Sequence, residues 1–109
     1  MEIFFKTQKL AKILNSHERI NRKFGAAARK IRQRLDDMAM ADNLEVVMSL
    51  PGKHHPLKGD RKGQFACDAG HPYRLIYEPC NDPLPLDENN NLIYRMVTIV
   101  EIIEIIDYH

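Results

Sequence analysis

The run from Arg95 to Asp107 constrains this chain more than any other segment. Valine and isoleucine occupy both of its alternating faces, at Val97, Ile99, Val100, Ile102, Ile103, Ile105 and Ile106. A strand apolar on both faces is either covered on two sides or central in its sheet. Glu101 and Glu104 interrupt it three residues apart, which puts them on opposite faces of a regular strand. Simple alternation leaves that register unresolved.

Upstream, the pattern changes at Pro51-Gly52. Before it, apolar residues recur at helical spacing. Leu10, Ile13 and Leu14 predict one helix from Gln8 to Leu14. Ile20, Phe24, Ala27, Ile31, Leu35 and Met38 form a longer stripe and predict a second. Asn15 or Ser16 offers its N-cap, and Asn15 with Glu18 resembles a capping box. Gly25 inside the stripe costs about 1 kcal/mol relative to alanine, too little to interrupt the predicted helix. A short turn of helix is expected through Leu44, Val46, Val47 and Leu50. Glu2 to Phe5 reads as a short first strand.

After Pro51-Gly52 the signal is alternation and turns. Phe65 and Cys67 alternate with polar neighbours, Asp68 to Pro72 makes a turn, and Tyr73 to Glu78 returns as the second arm of a hairpin. Cys80 to Asn91, with Pro83, Pro85 and three consecutive asparagines, reads as an exposed loop. The expectation is a single α+β domain over residues 1–109, two N-terminal helices packed on one face of a largely antiparallel sheet. No apolar run approaches the ~20 residues of a membrane span, and the N-terminus lacks the cations of a secretion signal. A cytoplasmic protein with reduced cysteines is expected. Cys67 reads as a small core residue, and a bridge to Cys80 is the weaker alternative.

Net charge is only +1, but it is unevenly placed. Ten lysines and arginines lie in residues 1–35 against Glu2 and Glu18, and most read as a solvated helical face. A second cationic group, Lys53, Lys58, Arg61 and Lys62, surrounds the stretch His55-Pro56-Leu57-Lys58-Gly59-Asp60. Local potential of this kind attracts phosphate even when the total charge is small. Proline biases His55 to an extended backbone. Arg74 leaves its strand on the face opposite Tyr73 and Leu75, where it can clamp phosphate or pair with Glu78 or Glu104. The chain ends Asp107-Tyr108-His109. Histidines, a carboxylate and cations in these segments can cleave RNA without metal or cofactor. One group takes the 2′-hydroxyl proton, cations stabilise the phosphorane, and another group protonates the 5′-oxygen. His54 and His71 read as surface residues, and Tyr73, Tyr77 and Tyr94 as packing residues.

Taken together, His55 to Asp60, Gly63-Gln64-Phe65, Tyr73 to Glu78 and the terminal Asp107-Tyr108-His109 resemble the RelE/ParE superfamily of bacterial toxins, in particular its HigB-like branch of plasmid-maintenance killer proteins. The resemblance implies a ribosome-dependent mRNA endonuclease, with the ribosome and mRNA as partners and a cognate, DNA-binding antitoxin as inhibitor. It implies that His55 and Lys58 face the scissile phosphate with Arg74 across the groove. Asp107, Tyr108 and His109 complete the site: Lys58 and Arg74 carry phosphate charge, Asp107 and His109 move protons, and Tyr108 orients RNA. Lys53, Arg61 and Lys62 are expected to bind RNA. Two other functions fit the superfamily, inhibition of DNA gyrase and an inactive antitoxin-binding relative. The proton-transfer groups favour the nuclease over the gyrase inhibitor, and expression without antitoxin separates it from the inactive relative.

Overall fold

The computed structural model describes residues 1–107. The elements run β1 (Glu2–Phe5), α1 (Gln8–Leu14), α2 (His17–Phe24), α3 (Ala28–Met40), α4 (Leu44–Met48), β2 (His55–Pro56), β3 (Phe65–Asp68), β4 (Tyr73–Pro79) and β5 (Ile99–Asp107). Short 3-10 turns lie at Gly25–Ala27, Gly59–Arg61 and Tyr94–Met96. The expected α+β class holds. The five strands form one sheet in the order β1-β5-β4-β3-β2. Only β1 and β5 run parallel.

The apolar run therefore sits inside the sheet, between β1 and β4. Its inner face packs under the helices in a core that includes Ile20, Phe24, Ile31, Met38, Leu75, Tyr77, Val100 and Ile102. Full burial of each aliphatic side chain here is worth about 2 kcal/mol. A smaller cluster, Ala66, Ile76 and Ile103 with Leu57 and Ile106 against it, covers part of the outer face. Both faces are thus apolar because both are covered.

The complication at Glu101 and Glu104 is a β-bulge. Tyr77 pairs with Ile102, while the preceding Ile76 pairs with Glu104, so Ile103 is an extra residue in β5. One inserted residue restores the phase. Glu101, opposite Glu78, and Glu104, opposite Ile76, consequently share the outer face.

The helical half departs from expectation in three places. The second predicted helix is two, because Gly25 adopts φ +54° and ends α2. A left-handed backbone at that point is accessible to glycine and closes a helix. The capping box is absent as well. Ser16 caps α2 by accepting from the Arg19 N–H at 3.2 Å, and Asn15 instead ends α1. Arg34, read as part of a solvated face, is buried, and its Nε donates to the Asp68 carbonyl at 2.8 Å. That bond ties α3 to the end of β3. No helix among the described residues is long and apolar enough to cross a membrane.

Cys67 lies in the core and Cys80 at the surface, both as free thiols. Burial pushes the Cys67 thiol up to about 12, so it stays protonated and inert. The Cys80 to Asn91 segment is exposed for most of its length, and it folds back on itself through a Leu86–Leu92 bridge. Asp87 organises that turn, its Oδ1 accepting from the Asn89 and Asn91 amides at 2.8 and 3.0 Å.

Candidate active site

Local sequence rules place the first group. Pro51-Gly52 stops the chain after α4, and Lys53 follows with φ +54°, a left-handed conformation rare for a residue with a side chain. His54 and His55 then diverge. Strand alternation sends His55 to the outer face, in register with Ala66, Ile76 and Glu104.

His55 Nδ1 lies 2.7 Å from the Lys53 carbonyl oxygen. A carbonyl only accepts, so Nδ1 carries the proton and donates it. In the neutral form of the ring this leaves Nε2 as the lone pair. An imidazole oriented in this way is set up to take a proton.

Arg74 is on the same face, two strands away and one residue pair further along. The strand spacing and rise put its Cα roughly 12 Å from that of His55. Its Nε forms a long ion pair with Asp68 at 3.8 Å, not with Glu78 or Glu104. Asp68, His71 and Arg74 line a depression of about 230 Å³ at this end of the sheet. His71 is exposed, as read, yet it stands beside the arginine.

The loop from Leu57 to Gln64 rises over the outer face. Leu57 packs on Ile103 and its neighbours. Arg61 reaches across to Glu104 at 2.9 Å and holds Gln64 at 2.9 Å. It pins the loop to β5. Lys53, Lys58 and Lys62 remain exposed around it. Glu78 and Glu101 face each other nearer the opposite end, so the outer face grades from acidic to cationic.

Asp107 pairs with Tyr73 at the end of β5. Alternation puts it on the inner side of the sheet, three strand spacings, roughly 14 Å, from β2. Tyr108 and His109 lie outside the described residues. The structure thus gathers His55, Lys58, Arg61 and Arg74 on one face and sets Asp107 at that sheet's edge.

Expectation fails at His54. It is buried, with Nδ1 2.8 Å from the Tyr77 hydroxyl, and its Nε2 has no hydrogen-bond partner among the described residues. Burial, assisted by the Arg34 guanidinium and by His55, lowers its pKa to about 4 against the opposing pull of Asp37 and the Pro51 carbonyl. Tyr77 is a packing residue as read, stacked on Phe65, and Tyr73 packs edge-on against Phe24.

The His54 shift fixes a pH dependence. The unfolded chain binds the extra proton first, so the stability held above about pH 6.5 is lost as pH falls toward 4. About 2 kcal/mol should be gone by about pH 5. Urea unfolding at stepped pH measures it, and His54→Phe should flatten that limb. An equally steep acid limb in the variant removes His54 as its cause.

Neither a family model nor a curated protein sequence matches the chain. Solved structures do. A YoeB/ParE toxin from Agrobacterium tumefaciens superposes with a TM-score of 0.61 at 16% identity, over 100% of this chain and 99% of that one. The fold is that of the YoeB/ParE toxins. A YoeB dimer and a YoeB–YefM complex from Staphylococcus aureus share the YoeB/ParE fold with this chain, each at TM-score 0.57 and 18% identity over 100% and 97% of the two chains. At these identities the likeness is one of architecture, and it covers the whole of this chain.

Proposed function

We propose that this chain is the toxin of a type II toxin–antitoxin pair, a HigB-like, ribosome-dependent endoribonuclease that stops translation by cutting mRNA. One observation carries the reading: on a YoeB/ParE fold, the His55 ring is held by the Lys53 carbonyl with Nε2 as its acceptor atom. His55 takes the proton from the 2′-hydroxyl. Lys58 and Arg74 hold the charge that builds on the phosphorane. The 5′-oxygen is protonated by His109, whose imidazolium Asp107 favours, and Tyr108 orients the RNA. Lys53 and Lys62 steer the backbone, while Arg61 fixes the loop that carries Lys58. The physiological partners are the ribosome with its mRNA and a DNA-binding antitoxin, and the toxin acts in the cytoplasm.

Mapping mRNA 5′ ends on ribosomes after induction tests this directly. New ends inside codons are expected with the parent, and Lys58→Ala should reduce them by about 10²-fold with the far-UV spectrum unchanged. Lys58 is exposed, so its loss leaves the core intact. A Lys58→Ala protein that cuts as well as the parent would remove Lys58 from the site. Translation left intact while DNA supercoiling is lost would turn the reading to a gyrase inhibitor.

A further inference from the structure

His54 is a buried imidazole that the proposed cleavage does not use. It follows a turn that is tied to β3 on both sides. Upstream, the Gly52 carbonyl accepts from the Asp68 amide at 2.7 Å, and downstream His55 pairs with Ala66. Between these ties stands Lys53 at φ +54°, a backbone that a residue with a side chain keeps only where its surroundings impose it. The Asp68 bond holds one side of Lys53. The His54 ring holds the other.

That ring is fixed from within the core. Its Nδ1 lies 2.8 Å from the Tyr77 hydroxyl, and the two rings meet edge-on with centroids 5.8 Å apart. Tyr77 is fully buried and stacked on Phe65, so its hydroxyl is a stationary partner. Nε2 has no hydrogen-bond partner among the described residues, which leaves the Tyr77 contact to orient the ring. Burial keeps His54 uncharged down to about pH 4 and holds the Tyr77 hydroxyl protonated, so the bond persists wherever a histidine can serve as a base.

The peptide group joining Lys53 to His54 carries the carbonyl that accepts from His55 Nδ1 at 2.7 Å. One end of that group is the strained Lys53 and the other is the Cα of His54. Anchoring the His54 ring therefore aims a carbonyl, and the carbonyl selects which nitrogen of the next imidazole carries the proton. We infer that His54 is a positioning residue: its bond to Tyr77 holds the Lys53 carbonyl in the direction that keeps the His55 proton on Nδ1. The two histidines divide the task, one setting the geometry from the core and the other presenting Nε2 on the outer face. The effect on cleavage rests on the nuclease reading above; the effect on the His55 ring does not.

Tyr77→Phe removes one hydroxyl and keeps the aromatic ring. Nitrogen NMR of isotopically labelled protein in mildly alkaline buffer reads the tautomer directly. The parent should show His55 protonated at Nδ1 alone, and Tyr77→Phe a mixture of tautomers. On ribosomes, kcat should fall about tenfold with KM within about twofold of the parent, because a misaimed base slows the step without weakening RNA binding. His54→Phe combined with Tyr77→Phe makes both partners apolar. The pair should regain most of the unfolding midpoint lost in Tyr77→Phe, yet neither the tautomer nor the rate, since apolar packing has no direction. Should Tyr77→Phe alone fail to fold, the double variant reads the same two quantities. A His55 ring that keeps Nδ1 protonated in both variants overturns the assignment, as does a rate that returns with the stability of the double variant. A parent that never cuts RNA, with variants that lose the tautomer, sinks the nuclease and leaves His54 as the residue that orients His55.

Discussion

Replacing His55 with alanine should lower mRNA cleavage on ribosomes by about 10²- to 10⁴-fold and leave the unfolding midpoint nearly unchanged. The size follows from the role. A positioned base removes the 2′-hydroxyl proton as the oxygen attacks, and without it water must serve. The small structural cost follows from placement, since His55 is half-buried on a two-residue strand and, among the described residues, its ring bonds only to the nearby Lys53 carbonyl. That carbonyl is aimed by a backbone with φ +54° at Lys53, a conformation that costs on the order of 1–3 kcal/mol and persists because the surroundings impose it. Added imidazole should restore part of the activity of His55→Ala, which a purely architectural role would not allow. Cleavage by His55→Ala within about twofold of the parent, under single-turnover conditions, would end the case for His55 as the base.

How far the sequence reveals this depends on whether the deciding contact is local. The hairpin Phe65–Asp68 to Tyr73–Pro79 and the Ser16 cap of α2 are set by neighbours in the chain, and they are readable there. The break at Gly25 is hidden for a physical reason. The 3-10 turn advances the chain without losing phase, so Phe24, Ala27, Ala28 and Ile31 are buried on one stripe whether or not the helix continues. Arg34 sat within that stripe, between Ile31 and Leu35, and its position was the available signal that it is not solvated. The Glu101–Glu104 spacing likewise signalled a bulge, although only the pairing with β4 locates the extra residue at Ile103.

The parallel pairing of β1 with β5 joins residues nearly a chain length apart, and no turn motif announces it. In the candidate site, His55, Lys58 and Arg74 come from short motifs and were legible. The tautomer of His55 was not, because it depends on a left-handed Lys53. His54 shows the same limit from the other side. It lies in a polar loop by sequence, and α3 and Tyr77 bury it.

The turn that separates these two histidines makes Gly52 the most sensitive backbone position in the site. Gly52→Val should destabilise the fold by about 4 kcal/mol and remove cleavage with it. Gly52 has φ +117°, and a Cβ built there would stand 2.6 Å from Arg34 Nε and 3.0 Å from its Cδ. Arg34 cannot swing aside at small cost, because that Nε is buried in its bond to the Asp68 carbonyl. The Asp68 amide in turn donates to the Gly52 carbonyl at 2.7 Å, so one clash loosens two links between the turn and β3. Backbone strain of about 1–3 kcal/mol and a charge-assisted hydrogen bond worth about 1.5–3 kcal/mol both enter the total. Gly52→Ala should cost somewhat less, since alanine is not branched at Cβ. Paired with Arg34→Ala in a double-mutant cycle, Gly52→Ala should show a coupling of about 1 kcal/mol or more, because the truncated arginine no longer meets the new methyl. Urea unfolding of the four proteins measures it. Strict additivity would mean that Gly52 is constrained by its backbone angle alone, and a Gly52→Val protein as stable as the parent would mean that the turn before His55 is not held by Arg34 at all.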